Sequence, residues 1–135
     1  MQLLTMFIGI PGSGKTTQAK KWQARHKEDC PIFEADMFFE KDGKYNWNPK
    51  LLGMAHKWCY DQVEKALKDG KSVIVSNTFL TPKERKPYIE LAKKYKVDLK
   101  VWTCNGNYKN VHNVPDETIE RMRIKFIPFS NSELK

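Results

Sequence analysis

Residues Gly9, Ile10, Pro11, Gly12, Ser13, Gly14, Lys15 and Thr16 follow the spacing G-x-x-x-x-G-K-[ST], and chemistry is most legible there. Each part of the octet has a mechanical task. Glycines reach backbone angles closed to other residues, so successive N–H groups can turn inward around phosphate oxygens. The lysine ammonium reaches the outer phosphates of a nucleoside triphosphate, and the hydroxyl after it ligates Mg²⁺. A helix opening at this point adds the positive end of its dipole to the same anion. The expected nucleotide-binding set is Gly9, Pro11, Gly12, Ser13, Gly14, Lys15, Thr16 and Thr17. At ordinary residue frequencies, with glycine at ~7%, chance produces such an octet in roughly one chain of this length in two hundred.

Both flanks agree with a phosphate loop. Leu3 to Ile8 is a short apolar run, as a buried parallel strand should be. Thr16 to Ala24 contains neither Gly nor Pro and reads as helix. Strand, glycine loop and helix form the arrangement the motif requires.

The remaining elements must bring further groups to that loop. A second strand is expected at Pro31 to Ala35, then an irregular stretch from Met37 to Pro49 carrying Phe38, Phe39, Tyr45 and Trp47 among lysines. Leu51, Ala55, Trp58, Cys59, Val63, Ala66 and Leu67 recur at helical spacing between about Lys50 and Lys68. Ser72 to Ser76 reads as a core strand, and Thr81-Pro82 as an N-cap and first turn of a helix reaching about Tyr95. Val97 to Trp102 alternates like an edge strand. A polar loop from Asn105 to Asn113 leads to a last helix from about Asp116 to Lys125. Strands alternating with helices imply an α/β three-layer sandwich. We expect a mainly parallel sheet of 4–5 strands, helices on both faces and a C-terminal lid helix, all in one domain over residues 1–135.

In such a sheet, ligands bind beyond the carboxyl ends of the strands. Three segments therefore converge on the loop: Asp36, Ser76-Asn77-Thr78, and Cys104 to Asn110. Asp36 reads as the only carboxylate directly after a core strand. An acid there takes a proton from an attacking hydroxyl or holds Mg²⁺ through water; its alternative role is to cap the following turn. No Walker-B acid ends the third strand, which finishes in Ser76-Asn77. Phosphoryl transfer also needs positive charge around the migrating group. Lys109, Arg121, Arg123 and Lys125 lie in or beside the last loop and helix. Arg121 and Arg123 have acidic neighbours to pair with along the helix, whereas Lys109 has none.

Composition bounds the rest. With 24 Lys+Arg against 16 Asp+Glu, the 135 residues carry a formal net charge of +8. That surplus suits a nucleic-acid partner, or equally a lysine-rich solvated surface. Three cysteines without metal-like spacing argue against a disulfide framework, and an ATP-using site implies a reducing cytoplasm. The N-terminus lacks the basic start of a leader, and no run approaches the ~20 apolar residues of a membrane span, so no membrane partner is expected.

Taken together, these residues resemble the polynucleotide 5′-hydroxyl kinase branch of the P-loop kinases, including the kinase half of phage polynucleotide kinases. The pieces, in order, are Gly9 to Thr17, Ala35-Asp36-Met37-Phe38-Phe39, Ala55-His56-Lys57-Trp58-Cys59, Val75 to Pro82, Lys109 to Pro115, and Ile119-Glu120-Arg121-Met122. The resemblance implies ATP as phosphoryl donor with Mg²⁺, a 5′-hydroxyl of DNA or RNA as acceptor, and a location in the cytoplasm, the host's if the source is viral. It further implies that Asp36 is the general base and that Lys15 and Thr16 hold the phosphates. Thr16 and Asp36 would serve the metal, Lys109 and Arg121 would act from the lid, and Phe39, His56, Asn77 and Thr78 would line the acceptor side; for His56, packing of its helix stands as the alternative role. Three positions depart from the family pattern. Lys109 stands where an arginine is usual, Phe79 where asparagine is, and Met37 where a second aspartate is common. The first exchange keeps the charge but loses the bidentate fork. For the aromatics between Phe38 and Trp47, stacking of nucleic-acid bases and packing of the loop on its own core both stand. A small-molecule kinase and a non-catalytic nucleotide- or nucleic-acid-binding module are the alternative functions.

Overall fold

In a computed structural model, which describes residues 2–26, 29–106 and 114–135, the first apolar run forms β1 (Leu3–Ile8). Successive strand side chains point to opposite faces, and both faces of β1 are covered. Leu4, Met6 and Ile8 join one core cluster, while Phe7 joins another. The loop then opens α1 (Lys15–Arg25). After it come β2 (Ile32–Phe33), a 3-10 turn over Ala35–Phe39, and the pair β3 (Glu40–Lys41) and β4 (Lys44–Tyr45). A short 3-10 turn, Pro49–Leu51, runs into α2 (Leu52–Lys68). The chain continues through β5 (Val73–Asn77), α3 (Pro82–Lys94), β6 (Asp98–Thr103) and α4 (Asp116–Lys125), and closes on a 3-10 turn at Asn131–Leu134.

Four of these strands make one parallel sheet in the order β2-β5-β1-β6. Met6 at its centre lies opposite Val75 on one side and Val101 on the other. α1 covers one face, where Ala19 and Trp22 pack with Phe7, Cys30 and Ile74. α2 and α3 cover the opposite face through Ala55, Cys59, Val63, Leu67, Ile89 and Leu91. The expected three-layer α/β sandwich is thus the observed one, with β6 at an edge and half-buried only through Leu99 and Val101. Among the described residues, no helix is long and apolar enough to cross a membrane.

Two local expectations change. The second strand is shorter than the apolar run suggested, because Ala35 N–H does not continue the ladder. It donates to the Asn77 side chain (2.9 Å), and the backbone coils into the 3-10 turn. The stretch from Met37 to Pro49 is also more ordered than expected. Asp42 and Gly43 both adopt positive φ (52° and 78°), the combination that closes a two-residue hairpin in step with strand twist. That hairpin sets Glu40 opposite Tyr45. Phe39 is only 4% exposed, and its ring packs edge-on against Phe38 and Tyr45. The aromatic segment therefore packs largely on its own core, apart from Trp47, which is 54% exposed.

The cap expected at Thr81 is present. Its N–H and hydroxyl both donate to the Glu84 carboxylate (3.0 and 3.1 Å), and Pro82 stands at the first helical position. One turn on, Arg85 is fully buried and ion-pairs with Glu133 (2.9 Å). It also donates to the carbonyls of Phe79, Leu80 and Ile127. The C-terminal segment is thereby tied to the loop that follows β5.

Candidate active site

The glycine loop is held by its neighbours on both sides. Gly9 N–H donates to Thr78 O (3.2 Å) at the end of β5, and Gly106 N–H donates to Ser13 O (2.9 Å) beyond β6. Gly12 and Gly14 adopt φ of 82° and 94°, backbone that side-chain-bearing residues rarely reach, and Gly14 in that state starts α1. Gly9 is required by space. A Cβ there would stand 2.4 Å from Ser13 Oγ and 2.7 Å from Cys104 O.

Lys15 bends back over the loop, its Nζ donating to Ile10 O (3.1 Å). Burial lowers the pKa of this ammonium, while the nearby carboxylates of Glu34 and Asp36 oppose the shift. A cation that has lost part of its hydration and sits among carboxylates is suited to receive phosphate oxygens. Thr16, one residue on, donates its hydroxyl to Glu34 Oε1 (2.8 Å). Thr17 is exposed in the same first helical turn.

Glu34 was hidden from sequence reasoning because the expected strand ran through it. With β2 ending at Phe33, Glu34 rather than Asp36 is the first carboxylate beyond the strand. The available signal was Asn77. An amide at the end of the adjoining strand invites an N–H from the neighbouring chain and stops the ladder there. Asn77 itself is 8% exposed, accepting from Ala35 N–H and placing Nδ2 3.7 Å from Cys59 Sγ. Thr78 is half-buried and uses its carbonyl to hold Gly9.

Asp36 lies in the 3-10 turn, where the Tyr45 hydroxyl donates to its Oδ1 (3.1 Å). Burial first, then the Asp36 charge, pushes the Tyr45 phenol well above its ordinary range, so it stays a donor. Of the other expected site residues, Phe39 lies in the core beneath this turn, and His56 is exposed on α2. Arg121 is exposed on α4 and donates to Thr118 Oγ1 (3.3 Å), while Arg123 pairs with Glu120 (3.3 Å). α4 buries none of its side chains and is moored at its C-terminal end, where Ile127 N–H donates to Leu80 O (2.8 Å). Lys109 and its neighbours Asn110 and His112 lie outside the described residues. The cysteines Cys30, Cys59 and Cys104 are free thiols.

Sheet order assigns two sides to the loop. Glu34, Asp36 and Asn77 stand at the ends of β2 and β5, on one side of β1. On the other side, a cleft of about 310 Å³ opens between α1 and the end of β6. Ser13, Gln18, Trp22, Trp102 and Asn105 are among the residues that line it, with Lys21 and Arg25 at its basic wall. Thr16 Oγ1 and Glu34 Oε1 are oxygen donors at a spacing that suits Mg²⁺, whose neighbouring octahedral ligands stand about 3 Å apart. Among the described residues, no cluster of three or more His, Cys, Asp or Glu could hold a metal. A divalent ion here would depend on nucleotide phosphates for much of its shell, as Mg²⁺ commonly does.

A four-stranded parallel sheet, helices on both faces and a glycine loop feeding α1 make up the P-loop kinase fold. The chain belongs to the AAA domain family, whose profile matches residues 4–128. It is 33% identical over 133 residues to human NEDD4-binding protein 2, covering 89% of this chain and 7% of that protein. It is 28% identical over 149 residues to an Autographa californica nuclear polyhedrosis virus protein named as a bifunctional polynucleotide kinase/RNA ligase, covering 96% and 22%. The chain thus spans only a small part of these curated relatives.

Solved structures agree on the fold. Chaetomium thermophilum Kti12 in complex with ADP-AlF3 aligns with a TM-score of 0.72 at 15% identity, over 96% of this chain and 82% of that one. A chain of the Pnkp1/Rnl/Hen1 complex aligns at 0.63 and 20% identity, over 99% and 43%. The Mycobacterium tuberculosis APS kinase CysC, as its Cys556Ala mutant, aligns at 0.62 and 12%, over 92% and 96%.

Proposed function

We propose that this domain transfers the γ-phosphoryl group of ATP to a 5′-hydroxyl of DNA or RNA, with Mg²⁺ as cofactor. The observation that carries the reading is Asp36. Its carboxylate is near enough to the loop to act on the charge of Lys15, and it accepts from Tyr45 at 3.1 Å, on the side of β1 away from the α1–β6 cleft. Donor and acceptor then approach from opposite sides, as in-line transfer needs. The donor's phosphates lie in the loop from Gly9 to Thr17, and its nucleoside points toward the Trp22–Trp102 cleft. Lys15 follows the outer phosphates and offsets charge that builds on them. Asp36 accepts the proton of the attacking hydroxyl. Mg²⁺, when bound, would neutralise charge on the phosphates, and Thr16 and the acids next to it would be the groups of this chain that hold it. The choice of a nucleic-acid acceptor is supported by the +8 charge and by the viral relative's name.

A small-molecule acceptor is the second reading, and the likeness to an APS kinase fold favours it. A non-catalytic binding module is the third, favoured by the ending of β5 in Ser76-Asn77, which lacks an acid. Incubation with γ-labelled ATP and separate pools of 5′-hydroxyl oligonucleotides, nucleosides, nucleotides and small sulfated or sugar acceptors distinguishes them. We expect label on the oligonucleotide 5′ end. Label only in a small-molecule pool sinks the first reading in favour of the second, and binding without any turnover favours the third.

A further inference from the structure

We propose that Glu34 is the metal-site carboxylate of this domain, taking the place of the acid that the end of β5 lacks. The inference rests on the nucleotide-binding reading of the loop and deepens it. Its basis is the direction of one hydrogen bond. Thr16 Oγ1 donates its proton to Glu34 Oε1 at 2.8 Å.

A hydroxyl that ligates a cation must present a lone pair to it, so its proton has to go elsewhere. Glu34 receives that proton and leaves the Thr16 oxygen's lone pairs available. Outer partners of this kind set ligand orientation and raise ligand basicity. The second carboxylate oxygen adds negative charge at the same point, within reach of the metal directly or through one of its waters, which Mg²⁺ releases reluctantly. The strand that would ordinarily supply such an acid cannot do so here. Asn77 ends β5 and is already committed to Ala35 N–H and Cys59. That same Asn77 contact ends β2 at Phe33 and turns Glu34 out beside Thr16. The missing acid on one strand and the added acid on the next thus share one structural cause.

Asp36 then has a separate task. Two residues along the chain, it takes the Tyr45 hydroxyl, whereas Glu34 takes the Thr16 hydroxyl. One acid serves the acceptor side and the other serves the metal.

Calorimetric titration of ADP, with Mg²⁺ and in EDTA, tests this in wild type, Glu34→Gln and Glu34→Asp. Glu34→Gln should keep the metal-free ADP affinity, which also shows that it is folded. It should lose about tenfold or more of the tightening that Mg²⁺ brings. Mn²⁺ titration followed by EPR should show the same loss in the ADP complex, and Glu34→Asp should recover part of it. An unchanged Mg²⁺ effect in Glu34→Gln overturns the proposal. So does a larger one, which would mark Glu34 as a latch that competes with the metal for Thr16. A wild type that binds no ADP in either buffer removes the nucleotide-binding reading itself, and this inference with it.

Discussion

Tyr45 donates its hydroxyl to Asp36 Oδ1 across 3.1 Å, so the hairpin that carries Tyr45 helps to orient the carboxylate proposed as the general base. The hairpin forms because Asp42-Gly43 accepts positive φ, and the 3-10 turn that carries Asp36 leads straight into it. Removing the phenolic oxygen leaves the ring and its contact with Phe39 in place. We expect Tyr45→Phe to lower the turnover of phosphoryl transfer about tenfold, the value of one hydrogen bond to a charged group. The KM for ATP should not change. Asp36→Asn should cost about 10²–10⁴-fold, the range for a general base, with ADP affinity retained in calorimetry. Equal transfer by wild type and Asp36→Asn would remove Asp36 from the mechanism.

Asn77 couples the ends of two strands through a buried bond to Ala35 N–H. Asn77→Ala strands that N–H without a partner, at a cost of about 1–3 kcal/mol in urea unfolding. Because the same bond sets where β2 ends, activity should fall further than stability alone explains. Transfer measured well below the variant's melting temperature reads that difference.

Arg85 is wholly buried, and its partner Glu133 has a side chain only 10% exposed. Breaking a pair of this kind leaves an uncompensated buried charge. Arg85→Met should therefore cost about 3–5 kcal/mol in denaturant unfolding. The double variant Arg85→Met/Glu133→Met should recover a large part of the loss, since it removes both charges together. A single variant no worse than the double would show that the pair contributes nothing.

Cys30 gives an alkaline signature. Burial, assisted by the Asp29 charge, pushes its thiol from 9.0 up to about 11. The unfolded chain therefore begins to lose this proton near 9.0, while the folded chain holds it until about 11. The contribution to stability is complete below the lower value and is lost as pH rises toward the upper one. Melting temperature should fall across that window, and Cys30→Ala should make the fall shallower. Burial raises the Tyr88 phenol too, so some alkaline loss should remain in the variant.

The phosphate loop was legible because its demands are local. Positive φ at Gly12 and Gly14, a lysine and a hydroxyl in series, and a helix starting at once are all written within eight residues. The layer order was legible for a related reason. Apolar runs of strand length alternating with helical periodicity leave few ways to bury both faces of a parallel sheet. The neighbourhood of Asp36 was legible because placing it near a strand end needs only the approximate position of that strand. Glu34 escaped because its role depends on where β2 stops. The Asn77 side chain, forty-two positions downstream of the Ala35 N–H it accepts from, decides that point. Arg85 escaped for a similar cause. Nothing in Lys83-Glu84-Arg85-Lys86 marks one cation as buried until Glu133 and three carbonyls converge on it.

By itself, the sequence determined the nucleotide loop, the alternation of strands and helices, and the surplus of positive charge, because each follows from residue type and short-range spacing. Tertiary structure alone decided which hydroxyl each of the two acids meets. Whether a carboxylate meets the Thr16 hydroxyl or the Tyr45 phenol depends on strand register, on a side-chain amide that ends a strand, and on a hairpin folded back over the turn. Those are contacts between distant positions, and only the packed sheet brings them within hydrogen-bonding reach.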